Sequence, residues 1–184
     1  NGGSVNLVSC TVAFNEALGG FGRTGQGGYA ARGLSASGFG GGIFNRVGDF
    51  VFNNSIISNN IADVQNNLSQ AIANTADDLF GTYTSTDGHN LIMTPGLAVL
   101  VGNLINNILN VDPLLMPLAN NGGANNTHET DPCTPSVVIN AGFASVPLDQ
   151  RDIAQVLQAD IGAFEQEDPC ILLSRQNILL EGTK

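Results

Sequence analysis

The chain of 184 residues carries the same short pattern twice, 45 residues apart. Residues 1–17 and 45–62 superpose in their apolar positions after a one-residue slip behind the first Asn. Self-similarity at a fixed spacing is typical of repeat proteins, in which each unit packs against its neighbours. GGGIF (40–44) precedes only the second copy, so we expect residue 1 to lie inside a repeat. The matched pairs are Val5 with Phe50, Leu7 with Phe52, Val12 with Ile57, Asn15 with Asn60, and Ala17 with Ala62.

Inside each copy, apolar and polar residues alternate as they do in a β-strand. Val5 and Leu7 alternate with polar neighbours, and the phase of the alternation changes at Val8-Ser9 and again at Asn53-Asn54. Side chains alternate faces along a strand, so a change of phase needs a bend, and Asn tolerates the left-handed conformation of such a bend. Two short strands joined by an Asn-rich corner describe one coil of a parallel β-helix. Stacked coils would place these residues in the shared core: Leu7, Cys10, Val12, Phe50, Phe52 and Ile57.

The composition agrees with many corners and few charges. The chain has 23 Gly and 22 Asn, and only 12% of its residues are charged. The formal net charge of −10 disfavours binding to nucleic acid or to anionic membranes, both of which need Lys and Arg. We interpret the acidity as an aid to solubility, with calcium sites in acidic loops as the alternative. The most apolar run, residues 97–111, is interrupted by Gly and Asn, so no transmembrane segment is predicted.

Residues 1–111 are predicted to form the coils, with two insertions. Residues 18–39 are rich in Gly and aperiodic, which indicates a long loop. In residues 63–76, Val64, Leu68 and Ile72 follow helical spacing and predict a short amphipathic helix. Residues 94–111 fit either a helix or a strand.

Two further segments follow the coils. Residues 112–166 are rich in Pro, Gly and Asn and are predicted to cap the C-terminal end of the β-helix. The tail, residues 167–184, contains two apolar runs outside the repeat pattern. An open strand edge invites strand addition, so the tail is a candidate for strand exchange with a neighbouring subunit.

An ordered series of segments resembles the C-terminal part of extracellular right-handed parallel β-helix proteins with the choice-of-anchor Q domain. The segment GGGI and the Phe-x-x-Asn pattern from Phe50 to Asn53 show a looser similarity to the repeats of polymorphic outer-membrane adhesins. The resemblance implies an all-β, right-handed parallel β-helix that is secreted or displayed at the cell surface, and it supplies no catalytic residues. The segments are GGGIFN (40–45), NNSIISNN (53–60), FGTYTSTDGHNLI (80–92), DPLLMPLANNGGANNTHE (112–129), SVVINAG (136–142), DQR (149–151) and DIGAFE (160–165).

The three cysteines are assigned separately. Cys10 is equivalent to Ser55 of the second copy and is predicted to be a small buried side chain. Cys133 and Cys170 both follow Asp-Pro in predicted loops and would be able to form a disulfide in an oxidising compartment. The loop closed by that bond would contribute roughly 4 kcal/mol in the chain-entropy treatment.

The acidic residues are the candidates for catalysis. Glycoside hydrolases use paired carboxylates, and the adjacent Asp77 and Asp78 are such a pair. The coil strands carry a single acid, Asp49, and no base, which disfavours a catalytic groove on them. His89 and His128 lack the spacing of a zinc site and are interpreted as structural residues of turns. We expect a second group to form a structural ion-pair network that closes the C-terminal end: Asp149, Arg151, Asp160 and Glu165.

The sequence therefore predicts a non-enzymatic extracellular or cell-surface protein, structural or adhesive, and part of a longer β-helical rod or filament. Its expected partners are other protein subunits or components of the cell surface or extracellular matrix. No cofactor is predicted beyond the calcium alternative. The alternative functions are a polysaccharide lyase or glycoside hydrolase of β-helix fold, and a glycan-binding module.

Overall fold

The computed structural model describes residues 2–20, 37–65, 71–131, 134–143, 146–155 and 158–166. Its regular structure is entirely β, which confirms the predicted class, and the described residues contain no helix. The strands are β1 (Gly3–Val8), β2 (Thr11–Ala13), β3 (Glu16–Ala17), β4 (Ile43–Asn45), β5 (Gly48–Asn53), β6 (Ile56–Ser58), β7 (Ile61–Gln65), β8 (Ala71–Ala76), β9 (Leu79–Ser85), β10 (Leu91–Ile92), β11 (Val99–Gly102) and β12 (Ile108–Leu109).

Apart from β4 with β5 and β7 with β8, consecutive strands join different sheets. The first sheet has the order β1-β5-β9-β11, with β4 also paired to β9, and the second has the order β12-β10-β6-β2. The third contains β3, β7 and β8. Every pairing is parallel except that of β7 with β8. We call the strands that occupy one position in this stack a layer: layer 1 is 3–17, layer 2 is 48–65, layer 3 is 79–92 and layer 4 is 99–109.

The 45-residue repeat is the register between layers 1 and 2. Val5 pairs with Phe50 and Leu7 with Phe52 in the first sheet, and the same offset holds in the second and third sheets. Leu7 packs against the buried cluster that contains Phe52, as predicted. Equivalent residues of the two copies therefore lie side by side in neighbouring layers.

Two shorter repeats were missed in the sequence. Ser55 of layer 2 lies beside Asn90 of layer 3, 35 residues later, and Asn90 lies beside Asn107 of layer 4, only 17 residues later. The ambiguous segment 94–111 contains β11 and β12, so it is strand rather than helix. The changing spacing hides the repeat, because successive layers differ in the length of the chain between their strands.

The bends lie where the alternation changes phase. Ser9 and Asn54 have φ of 46° and 48°, and the later layers repeat this left-handed conformation at His89 (55°) and Asn106 (60°). In the next column of residues, the Ser55 amide donates to Asn90 Oδ1 at 3.0 Å. The Asn90 amide likewise donates to the Oδ1 of its neighbour in layer 4 at 2.8 Å. Asn thus supplies the bend in layers 2 and 4, and in layers 3 and 4 it supplies the acceptor that connects the corners of adjacent layers.

The predicted helix at 63–76 is wrong. Within this range the described residues belong to β7 and β8, which pair antiparallel with a shift in register between Ala62 and Val64. Residues such as Asn74 and Thr75 are poor helix formers, and an edge strand already paired to β3 is available as a hydrogen-bonding partner. Pairing with β7 therefore overrides a helical pattern of apolar residues that is only a few turns long.

Two apolar clusters flank the second sheet. One lies between the sheets and contains Phe52, Ile57, Leu79, Tyr83 and Ile92. The other contains the oppositely directed Ile56 and Leu91 with Val138 and Ile161. Residues 112–166 supply Leu115, Val138 and Ile161 to this second cluster, and their role as an end cap stays a prediction. Their described contacts run along the outer side of the second sheet, because that sheet presents aliphatic residues on both faces.

Three predictions fall wholly or mainly outside the described residues. They are the body of the Gly-rich loop (21–36), the disulfide between Cys133 and Cys170, and the tail (167–184). The structure places Cys10 in layer 1, half-buried and with a free thiol.

Candidate functional site

The acidic residues predicted to form an ion-pair network do meet in one cluster. Arg151 Nε donates to Asp149 Oδ2 at 2.8 Å, and Arg151 Nη2 lies 2.7 Å from the same oxygen. The guanidinium also donates to the Glu165 carbonyl and lies over the ring of Phe164, 3.5 Å from its centroid. Arginine suits this position because its planar fork can bridge a carboxylate and a carbonyl while it stacks on a ring.

Backbone amides surround the Asp149 carboxylate. Its Oδ1 accepts hydrogen bonds from the amides of Arg151 at 2.7 Å and Ile153 at 3.0 Å, and its Oδ2 accepts from the Glu165 amide at 3.0 Å. Burial alone would raise the pKa of Asp149, but these amides and the Arg151 side chain outweigh burial and lower that pKa. Asp149 is therefore a charged residue that organises the surrounding turn.

Asp160 and Glu165 extend the cluster toward the sheet. Asp160 Oδ1 accepts from the Asn140 amide at 2.7 Å and Oδ2 from the Gln166 amide at 2.6 Å. Glu165 Oε2 accepts from the Asp160 amide at 2.9 Å. Burial raises the pKa of Asp160 to about 6, since the amides and Arg151 offset desolvation only in part and the Glu165 charge adds to it.

Asn54 connects this cluster to layers 1 and 2. Its Nδ2 donates to the Asp160 carbonyl at 3.0 Å and to Ser9 Oγ at 3.1 Å, and its Oδ1 accepts from the Phe143 amide at 2.9 Å. Gly142 allows this approach, because a Cβ there would overlap both Asn54 Oδ1 and the Asp160 carbonyl. One buried side chain therefore holds residues 140–162 against the corner of layer 2.

A small cleft opens beside the cluster. Thr11, His128, Thr130 and Asp160 contribute its polar groups. Both Asp160 oxygens already accept backbone amides, and His128 Nδ1 lies 2.8 Å from the Met116 carbonyl. The polar groups of the cleft thus serve the fold, and the other residues that line it are apolar: Ile56, Leu115, Val138, Ile161 and Phe164.

The adjacent acids Asp77 and Asp78 occupy a corner of the third sheet. Asp78 is completely buried, with its Oδ1 accepting from the Asn60 amide at 3.0 Å and side chain at 2.8 Å, and its Oδ2 from the Thr94 amide at 2.6 Å. Burial raises the pKa of Asp78 despite these bonds. Asp77 Oδ2 accepts from the Gly40 amide at 3.0 Å, whereas its Oδ1 has no hydrogen-bond partner. The pair therefore braces the corner, and only Asp77 retains a free acceptor.

The two histidines have different partners. His89 occupies a corner with positive φ, where Nδ1 lies 3.1 Å from the Asp87 carbonyl and Nε2 lies 2.9 Å from Asn106 Nδ2. A proton on Nδ1 satisfies both contacts. The ring of His128 packs against Phe14, with centroids 5.1 Å apart. Within the described part of the chain, no group of three or more His, Cys, Asp or Glu side chains is arranged to hold a metal ion.

The residues predicted to be structural occupy two environments. Phe52 and Ile57 are fully buried in the core, whereas Leu7, Val12 and Phe50 are half-buried beside it. Arg151, Asp160 and Glu165 all belong to the acidic cluster.

Sequence reasoning missed the roles of Asn54, Asn90 and Asp78. The role of Asn90 could have been found in the sequence, because Ser55, Asn90 and Asn107 each precede two aliphatic residues. Asn54 and Asp78 have no comparable motif, since their partners come from distant segments.

A scan against protein-family models and searches of curated proteins and of solved structures found no match for this chain. No helix able to cross a membrane occurs among the residues that the structure describes.

Proposed function

We propose that this chain forms part of a right-handed parallel β-helix that serves as a non-enzymatic structural or adhesive protein at the cell surface or outside the cell. The observation that carries the proposal is the succession of strands. Each layer sends consecutive strands into different sheets, and layers 1 to 4 follow in chain order in the first two sheets. A chain that winds once per layer would produce this arrangement, and stacked layers of this kind make a stiff rod.

The use of charge supports a structural function. Asp78, Asp149, Asp160 and Glu165 are all buried, and each accepts hydrogen bonds from backbone amides. A glycosidase instead needs two carboxylates that face a substrate across a gap of about 5–9.5 Å. These four acids hold turns together, which is what a rod with a corner every few residues requires.

The resemblance to choice-of-anchor Q proteins is part of the same proposal. It would account for an extracellular location and for partners among other subunits or surface components. Such a location is oxidising and would permit the disulfide between Cys133 and Cys170 that the two Asp-Pro-Cys segments suggest. Mass spectrometry of the unreduced protein after proteolysis would detect that bond. Two free thiols at these positions in protein secreted from its source would contradict it.

Incubation with a panel of acidic and neutral polysaccharides tests the function. We expect no release of reducing or unsaturated ends from any member of the panel. Turnover that disappears in Asp77→Asn and persists in Asp87→Asn, a matched change at a surface turn, would overturn the proposal in favour of an enzyme. Saturable binding without turnover would replace it with a glycan-binding module.

A further inference from the structure

We propose that Asn121 deamidates spontaneously and that the product weakens the hairpin at whose tip this residue lies. We call residues 115–130 the hairpin and residues 120–126 its tip. Because this chemistry belongs to the chain itself, it does not depend on the proposed function. Two antiparallel bridges define the hairpin, Leu115 with Thr130 and Ala119 with Thr127.

The reaction needs only water and the peptide that joins Asn121 to Gly122. The Gly122 nitrogen gives its proton to solvent and attacks Asn121 Cγ, so that a new N–Cγ bond closes a succinimide ring. The Cγ–Nδ2 bond breaks, and Nδ2 takes a proton from water and leaves as ammonia. Water then opens either side of the ring, which yields Asp or isoaspartate without any oxidation or reduction. Glycine favours this attack because it has no Cβ to obstruct the approach of its nitrogen.

The environment of Gly122 leaves the reacting nitrogen free to move. Gly122 is exposed and has φ of 100°, and no atom beyond its chain neighbours lies within 4 Å of a Cβ built on it. Its amide donates to Asn120 Oδ1 at 3.1 Å, and Asn120 is itself exposed. The backbone at the tip can therefore rotate until the nitrogen meets Asn121 Cγ, and no packed group has to be displaced.

The pair Asp87-Gly88 has the opposite environment. Gly88 is buried, its amide donates to Ser85 Oγ at 3.2 Å, and a Cβ there would overlap the Ile105 carbonyl. The Gly88 carbonyl also accepts from the Asn54 amide at 3.3 Å. A ring closed on residue 87 would break these contacts between layers, so the fold protects this pair and leaves the one at the hairpin tip open.

Conversion of Asn121 removes two hydrogen bonds that close the tip. Asn121 Nδ2 donates to the Thr127 carbonyl at 3.0 Å and to Thr127 Oγ1 at 3.2 Å. An ionised carboxylate in that place has no proton to donate and turns a negative charge toward the carbonyl oxygen. Thr127 is almost completely buried, and its backbone donates to and accepts from that of Ala119. The product therefore weakens the bridge below the tip, and isoaspartate, which lengthens the backbone there, weakens it further.

Incubation of the full chain at mildly alkaline pH, followed by peptide mapping with mass spectrometry, tests the site. We expect residue 121 to gain the mass of a deamidation, with isoaspartate among the products. Mapping separates this residue from Asn1, which also precedes a glycine. Asp87→Asn places an Asn-Gly pair at the protected position, and we expect no conversion there in the folded chain.

Asn120→Ala tests the part played by the Gly122 amide. The change removes the acceptor of that amide, so Asn121 should convert about fivefold faster, the equivalent in rate of the roughly 1 kcal/mol of one hydrogen bond. Asn126→Ala, a matched change of an exposed residue on the other side of the tip, should leave the rate unchanged.

Hydrogen exchange measures the effect on the hairpin. The amides of Ala119 and Thr127 should exchange faster in the converted chain, and Asn121→Asp should reproduce part of the change. Four results would overturn the inference. They are a residue 121 that stays intact in the folded chain while it converts in denaturant, equal conversion at residue 87 in folded Asp87→Asn, equal rates in Asn120→Ala and Asn126→Ala, and unchanged exchange after conversion.

Discussion

Replacing Asn54 separates its two contributions, the left-handed bend and the hydrogen bonds of its side chain. Asn54→Gly keeps the backbone conformation, with φ of 48°, but leaves the Phe143 amide and the Asp160 carbonyl without their partner. Each buried group left unpaired costs about 1–3 kcal/mol, so the loss of both partners should lower the unfolding free energy by about 2–6 kcal/mol. Asn54→Ala loses the same bonds and adds about 1–2 kcal/mol of strain in the left-handed region. Glycine loses about 0.5–1 kcal/mol more conformational entropy on folding than alanine, which offsets part of this strain. Asn54→Ala should therefore be about 0.5–1 kcal/mol less stable than Asn54→Gly.

Asn106 is the matched control for this change. It lies in the same column with φ of 60°, but its side chain is exposed and contacts only His89 Nε2, at 2.9 Å. Asn106→Gly should therefore cost no more than about 1 kcal/mol, most of it the extra unfolded-state entropy of glycine.

Urea unfolding followed by circular dichroism measures all three variants. A change in the midpoint with an unchanged slope reports stability alone. Asn54→Gly as stable as the unmodified chain would refute the claim that Asn54 fastens residues 140–162 to layer 2. Equal losses in Asn54→Gly and Asn106→Gly would show that the buried bonds of Asn54 contribute nothing beyond the entropy cost that both glycines share.

The remaining predictions concern the core, the close approach at Gly142, and pH. Ile57→Ala should lower the unfolding free energy in urea by about 2–5 kcal/mol, because Ile57 is fully buried. The control Val47→Ala changes a residue that is 73% exposed and should cost under about 0.5 kcal/mol. Similar losses in the two variants would contradict the assignment of the core. Gly142→Ala should separate residues 134–166 from the sheet, seen as faster amide exchange there, and unchanged exchange would contradict it. The pKa of Asp160 is raised to about 6, so its protonated form favours folding and the melting temperature should rise as pH falls from 7 toward 5. The pKa of Asp149 is lowered, so stability should fall again below about pH 4, and a steady decline from pH 7 would refute this account.

The sequence was sufficient to predict the contacts between layers 1 and 2. Their strands repeat at one constant offset, and the bends at Ser9 and Asn54 fall where alternation changes phase. The contacts of layers 3 and 4 were not predicted, because the sequence offset between equivalent residues shortens to 35 and then to 17 residues. The helix predicted at residues 63–76 was wrong for a different reason. The pairing of β8 with β7 is a tertiary contact, and the local spacing of apolar residues does not indicate it.

In the acidic cluster, too, contacts between residues close in sequence could be predicted and contacts between distant residues could not. The short spacing of Asp149 and Arg151 was enough to predict an ion pair, and the structure contains it. The cluster lies beside the second sheet, and its role in closing the C-terminal end stays a prediction. Asn54 and Asp160, separated by 106 residues, fix that position, and neither residue belongs to a motif that points to the other.

The position of the acidic cluster follows from two kinds of contact with the sheets. Leu115, Val138 and Ile161 pack with Ile56 and Leu91 on the outer face of the second sheet. Asn54 and Thr11 add polar anchors to layers 1 and 2, since Asn54 Nδ2 donates to the Asp160 carbonyl at 3.0 Å and the Ala163 amide donates to Thr11 Oγ1 at 3.2 Å. One arrangement therefore buries the outer face of the second sheet and fixes the acidic cluster beside the first layers.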